Sequence, residues 1–332
     1  MRRYAFRRSL QVSYLERYAL PAIIILAVAV CGCGKKEATT TPAGGKQYVI
    51  GMSQCNRGEP YRVQMDADLK AEAAKHPEIK MLFKDAQNNS ATQQSQVKEF
   101  VGQKVDLIII SPKEALPLTK PVADAMDAGI PVIVLERKVA GDKYTCFIGP
   151  DNVKIGEEAG KYMVKLLGGK GNIVELKGLM SSTPAGERHD GFMKGIKGSQ
   201  IKIIYAADCH WLEPDARREM ASALTRFPGA KDIDAVYAHN DPSAHGAYTA
   251  AKLEGKGREK TIEFIGIDSL PHEGVAYVRD GILSATFQYQ TCAPEAIDTS
   301  LKILKGEKVP KNIPLGTRIF TKDNVARGGE AL

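Results

Sequence analysis

The feature that most limits what this chain can become is a regular alternation of two periods. Short apolar runs rich in Val, Ile, Tyr and Phe recur: YVIGMS (48–53), IKMLFKDAQ (79–87), VDLIIIS (105–111), PVIVLER (131–137) and YTCFIGPD (144–151). A second series follows: GNIVELKG (171–178), IKIIYAAD (201–208), IDAVYAHND (233–241), IEFIGID (262–268) and ILSATFQYQ (282–290). Between most of them apolar residues return at helical spacing, as in 115–128 and 214–227. Strand, helix, strand repeated in this way builds parallel sheets with helices on both faces, and nearly continuous apolar strands match such burial. The expectation is an α/β chain. With roughly 300 residues after its N-terminal segment, it exceeds one such sheet and suits two doubly wound, Rossmann-like lobes.

The runs end in polar residues. Ser53, Asp85, Gln87, Ser111, Glu136 and Arg137 close the first series, and Lys177, Asp208, Asn240, Asp241, Asp268 and Gln288 the second. Open parallel sheets bind ligands beyond the carboxyl ends of their strands, so side chains gathered there mark a site. Asp, Ser and Asn also cap helices. Asp241 ahead of Pro242 reads as such a cap, with proline at the first helical position. Capping does not account for Arg137, Glu136, Gln288 or Asp208.

Several chemistries fail on spacing. GGKGN (168–172) precedes a strand rather than a helix, and SQCNRGEPYR after the first strand holds a single glycine, so no phosphate cradle forms. His189, His210, His239 and His245 are scattered without metal-ligand spacing, and no metal or cofactor is expected. Lys177 at the end of IVELK, with Glu136 as its acid or base, suggests a Schiff-base enzyme of barrel type. Ten strands exceed the eight of such a barrel, however, and catalysis is not the preferred reading. Cys55, Cys146, Cys209 and Cys292 form no C-x-x-C pair and are read as buried thiols or unassigned disulfides.

The N-terminus sets the compartment. Arg2, Arg3, Arg7 and Arg8 precede the apolar stretch ALPAIIILAVAV (19–30), too short to span a membrane and shaped like a secretory signal. VCGC (30–33) resembles the lipobox of bacterial lipoproteins, which makes Cys33 the acylated first residue of the mature chain and 1–32 the signal. Residues 33–46, GKKEATTTPAGGK after the cysteine, read as a flexible tether. Removing five arginines and one glutamate with the signal takes four charges from the formal +7, leaving a balance too mild for nucleic acid.

A neutral polyol explains the strand-end inventory best. Sugar hydroxyls are engaged two at a time by the planar forks of Asp, Asn, Gln and Arg, and the C–H faces of the ring pack on aromatic side chains. Tyr61, Trp211 and Tyr289 lie beside the polar positions.

PVIVLERK, GPDNVKIGEEAG, IVELKG with ERHDGF, VYAHNDPSAHGA and FIGIDSLPHEG resemble the ribose- and galactofuranose-type periplasmic binding proteins, type I solute receptors of ABC importers. The similarity runs from about 48 to 320. It implies two lobes, 47–150 with 290–315 and 151–289 with 316–332, joined by three crossings near 149–151, 289–291 and 314–317. It also implies roles for individual residues. Arg137 matches an arginine that holds hydroxyls, with Glu136 where the family has Asp. Arg188, Asn240 and Asp268 match second-lobe ligand contacts, Ser53 a first-strand contact, and Trp211 a stacking aromatic. Tyr61 and Arg62, in a first loop longer than the ribose type, look nearer the galactofuranose branch. Gln288 and Gln290 compete with Tyr289 for the last contact. In VYAHND the implied contact is Asn240, with Asp241 capping and His239 facing away. The resemblance implies a monomeric, non-catalytic, extracytoplasmic lipoprotein. It would capture a monosaccharide (pentose, hexose or furanose) and deliver it to an ABC transporter permease. The alternative is a receptor feeding a chemotaxis protein or sensor kinase. Repressors that share this core carry DNA-binding helices where this chain carries its signal.

Overall fold

A computed structural model describes residues 46–332; the expected signal segment and Cys33 lie outside the described residues. The chain first lays down β1 (Tyr48–Gln54), α1 (Pro60–Ala73), β2 (Ile79–Asp85), α2 (Ser90–Gly102), β3 (Leu107–Ser111), α3 (Ala115–Asp127), β4 (Val132–Leu135) and β5 (Cys146–Pro150). It continues through α4 (Asn152–Leu166), β6 (Lys170–Lys177), α5 (Thr183–Gly195), β7 (Gln200–Asp208), α6 (Glu213–Arg226) and β8 (Ala235–Ala238). Then come α7 (Asp241–Leu253), β9 (Glu263–Asp268), α8 (Gly274–Arg279) and β10 (Ala285–Gln288). It ends with α9 (Ala293–Leu304), β11 (Asn312–Leu315), β12 (Arg318–Thr321) and β13 (Glu330–Ala331).

These strands form two sheets. The first has the order β11-β5-β4-β3-β1-β2, parallel throughout. The second has the order β13-β12-β10-β9-β8-β6-β7, parallel from β10 to β7 and antiparallel at β12 and β13. All five residues of β3 and all four of β4 are buried, as helices on both faces require. Because α9 and β11 return to the first sheet while β12 and β13 complete the second, the chain passes between the lobes after β5, after β10 and after β11. Two open sheets leave no barrel to carry a Schiff-base lysine.

One apolar core runs through both lobes, from Ile50, Met65 and Ile109 through Ile155 and Tyr289 to Tyr237, Ile265 and Phe287. The outer faces carry their own clusters, around Phe100 and Ile108 in the first lobe and Met220 and Phe264 in the second. Helices α4 and α5 meet backbone to backbone. A Cβ at Gly156 would stand 2.3 Å from the Arg188 carbonyl oxygen, and one at Gly191 would stand 2.1 Å from that of Val153. Only glycine permits that approach, which sets the position of Arg188. Cys55, Cys146, Cys209 and Cys292 are buried free thiols, which leaves no disulfide among them.

Candidate ligand-binding cleft

The polar ends of the strands in both sheets converge. A cleft between the lobes is lined by Glu59, Tyr61, Arg62, Glu136 and Arg137 of the first lobe and by Arg188, Trp211, Asn240 and Asp268 of the second. Tyr289, in the crossing after β10, completes it. The lining side chains leave a cavity of about 10 Å³ between them, room for about one water.

On the first-lobe side Glu59 and Pro60 open α1, so that Tyr61 and Arg62 occupy its first turn. Arg62 makes a two-pronged bond to Glu136, Nη1 to Oε2 at 2.6 Å and Nη2 to Oε1 at 3.1 Å. Ser111 Oγ donates to Oε2 at 3.0 Å and Tyr289 OH to Oε1 at 3.2 Å. Burial would raise this carboxyl, but Arg62 and Arg137 hold it below its ordinary range. Glu136 lines the cleft, yet its lone pairs are filled by the protein. It orients Arg62 rather than offering an acceptor to a ligand, which revises the expectation for this residue. Arg137 is the opposite case: it is 2% exposed and its Nε has no partner. Its one hydrogen bond is long, 3.4 Å from Nη1 to the Lys113 carbonyl, and its carboxylate neighbours Glu136 and Glu59 lie 3.6 and 3.7 Å away.

On the second-lobe side Arg188 Nε donates to Asn152 Oδ1 at 2.9 Å, and its Nη1 donates to the His239 carbonyl. Its guanidinium lies 4.3 Å from the Tyr289 ring centre and 5.3 Å from that of Trp211, while Arg137 stands 5.4 Å from the same indole. Trp211 Nε1 is buried without a partner. Asn240 Oδ1 accepts from the Ser243 N–H at 3.2 Å, and its Nδ2 donates to the Trp211 carbonyl at 3.0 Å. Glu136, Trp211 and Asp268 have φ of 66°, 72° and 137°, a strained region that costs about 1–3 kcal/mol per residue and is characteristic of ligand sites.

The Asp268 carboxylate is buried and accepts no hydrogen bond from the described residues. Burial pushes it well up, and the nearby Asp241 pushes it further, against the pull of Arg188. Asp241 is raised to about 7 by burial, although the Thr286 hydroxyl donates to it at 2.6 Å and the Ser269 N–H at 2.7 Å. The two buried carboxyls titrate as a pair, both above the ordinary carboxyl range. Asp241 therefore does not cap α7. Asn240 does, because its oxygen already faces the free amide of Ser243 while Asp241 points into the lobe.

A cleft between two α/β lobes with ligand-facing strand ends has a close counterpart in sequence. The profile of the periplasmic binding protein domain matches residues 50–308. The chain belongs to the periplasmic binding protein family. It is 31% identical to the ribose import binding protein of Bacillus subtilis over 282 residues, 83% of this chain and 88% of that one. It is 32% identical to the galactofuranose-binding protein of Escherichia coli over 298 residues, 88% and 92% of the two chains. Among solved structures, the fructose-binding periplasmic domain of a hybrid two-component system shares 42% identity at a TM-score of 0.81. That match covers 85% of this chain and 93% of the other.

Three residues expected at the site of this binding protein do not line its cleft. Ser53 is wholly buried and its hydroxyl donates to Gln96 Oε1 at 2.8 Å, an internal bond that ties β1 to α2. Gln288 and Gln290 border a separate groove along the crossings, where Gln290 Nε2 donates to the Gly316 carbonyl at 2.8 Å. Alternation along an extended segment explains both, because it turns Tyr289 to the cleft and its neighbours away. Glu59 and Tyr289 are cleft residues that the expected site did not include. Tyr289 stood among the candidates at its position, and Glu59 was hidden as the residue before a helix-opening proline. Tyr289 joins the lobes: its hydroxyl donates to Glu136 and accepts from Asn152 Nδ2 at 3.3 Å. A hydrogen-bond chain thus runs from Arg62 through Glu136, Tyr289 and Asn152 to Arg188.

Proposed function

We propose that the protein captures a single monosaccharide between its lobes outside the cytoplasm and presents the closed form to an ABC transporter permease. The observation that carries this reading is the set of unused groups facing one small cleft. Arg137 and the Trp211 indole N–H are donors without adequate partners, and the Asp268 carboxyl lines the same cleft. They come from both lobes, so a polyol that satisfies them favours closure. The indole and the Tyr289 ring supply apolar surface for a sugar's C–H face. The ribose, galactofuranose and fructose ligands named for the relatives support the same class. A melting-temperature screen of pentoses, hexoses in furanose and pyranose form, and inositols tests it, because a ligand bound only by the folded state raises the midpoint. A screen in which no sugar moves the midpoint would sink the proposal.

A second reading concerns what detects the closed form. The 42% identical fructose-binding domain belongs to a two-component system, which favours sensing as the alternative to import. Sugar uptake in a strain lacking this gene separates them: import predicts lost uptake, sensing predicts lost induction with uptake intact. Acylation of Cys33, supported by the lipobox-like VCGC, would hold the protein at the membrane face without a spanning helix. Metabolic labelling with a clickable fatty acid that a Cys33→Ser variant fails to incorporate is the expected result.

A further inference from the structure

The second lobe carries a buried cluster of ionisable groups that never reaches the cleft. Glu175 of β6 and His239 just beyond β8 are both wholly buried. His239 Nε2 lies 3.1 Å and His189 Nδ1 2.8 Å from Glu175 Oε1, with Lys177 Nζ 3.6 Å from Oε2. Burying a carboxylate costs several kcal/mol before pairing, and well-packed apolar side chains would fill the space without that cost. The cluster therefore calls for a reason beyond packing.

The other ring nitrogen supplies one. The Gly178 N–H donates to His239 Nδ1 at 3.3 Å. A nitrogen that accepts carries no proton, so the proton sits on Nε2 and is donated to Glu175. Burial drives the imidazole below its ordinary pKa, against the pull of Glu175, which keeps the neutral ring in place. Burial would raise the Glu175 carboxyl, but the hydrogen bonds and charge attraction of His239, then of His189, hold it below its ordinary range.

This tautomer pins the backbone at Gly178, and Trp211 rests on it, since a Cβ there would meet the indole at 2.2 Å. The Trp211 and His239 rings are 6.4 Å apart. The carbonyl of the same histidine accepts from Arg188 Nη1, and the next residue, Asn240, holds the Trp211 carbonyl. One imidazole behind the wall thus governs an aromatic face and a guanidinium of the cleft.

We propose that the Glu175–His239 pair is a positioning element for ligand binding: through Gly178 and the His239 carbonyl it fixes Trp211 and Arg188 in the orientation a ligand meets. This rests on the reading of the cleft as the ligand site. Trp211 is the sole tryptophan, so its emission reports its surroundings with no ligand present. His239→Leu removes both ring bonds at similar volume, and His239→Gln keeps a donor for Glu175. Expected for the folded Leu variant are red-shifted emission, greater acrylamide quenching and a Kd for the best sugar raised roughly 10- to 100-fold. The Gln variant stays within about threefold of the parent. If His239→Leu does not fold, Glu175→Gln is read instead, with a shift in the same direction. Unchanged emission and quenching in the folded Leu or Glu175→Gln variant overturns the proposal, as does equal loss of affinity in the Leu and Gln variants. A silent sugar panel beside a shifted emission counts against the monosaccharide reading alone. Normal sugar binding beside an unshifted emission counts against the positioning role alone.

Discussion

Arg137 shows what one side chain contributes when the protein leaves it underused. Its guanidinium is buried beside two carboxylates at salt-bridge but not hydrogen-bond distance, so a ligand's hydroxyls gain most of what it can give. Arg137→Ala is expected to cost about 1.5–3 kcal/mol of binding, roughly 10- to 150-fold in Kd by calorimetry, with little change in melting temperature. Asp268 carries a second prediction. Its pKa is raised in the empty cleft, and a polyol donating to it favours the ionised form, so binding releases a proton and affinity grows as pH rises. Calorimetry in buffers of different ionisation enthalpy, on either side of neutrality, should show that release; uptake or no exchange would contradict it. Arg137, Arg188, Asn240 and Asp268 were legible as candidates because polar residues ending apolar strands are unusual and because they matched a family pattern. That Glu136 is spent on Arg62, or that Asn240 and not Asp241 caps α7, was not legible, since both depend on partners distant in sequence.

At the scale of elements, all ten expected strands form, because long apolar runs bounded by turn residues carry a strong local signal. The three that escaped, β11 to β13, are only two to four residues long and lie at or near sheet edges. β11 includes Pro314, which local propensity assigns to a loop and which only an edge strand tolerates. Gly156 and Gly160 of GPDNVKIGEEAG and Gly191 of RHDGF have a physical explanation in the α4–α5 contact, where neither helix has room for a methyl group. Gly191→Ala must push α5 away from the Val153 carbonyl and carry Arg188 with it. Overpacking of this kind costs about 1–3 kcal/mol. A melting temperature lower by several degrees and a weakened sugar Kd are expected together, and a fall in stability with unchanged Kd would argue that α5 does not position Arg188.

The whole molecule is held closed by more than the cleft. Opposite the crossings, the Ala115 N–H donates to the Ser181 carbonyl at 3.1 Å, and Ser181 Oγ donates to Glu114 Oε1 at 2.9 Å. Lys138 Nζ pairs with Glu187 at 2.7 Å, and its backbone N–H donates to Thr183 Oγ1 at 3.0 Å. These bonds form only when the lobes meet, so they bias the closed state before any ligand arrives. A ligand's apparent affinity scales with the fraction of molecules already competent to bind. Glu114→Ala is therefore expected to weaken binding by about 2- to 5-fold without touching the cleft, with small-angle scattering of the unliganded protein shifting to a larger radius. Hydrogen bonding from Ser90, then Ser181, keeps the Glu114 carboxyl below its ordinary range. The latch is thus intact above that range and is lost as pH falls through the depressed value.

Because β11 belongs to the first sheet and α9 packs on the same lobe, but both are encoded after most of the second, neither half of the polypeptide can mature independently. The N-terminal half emerges with an edge missing and waits for residues near the other end of the gene product. A nascent chain wired in this way has long-range closures to make before it becomes compact, which slows it.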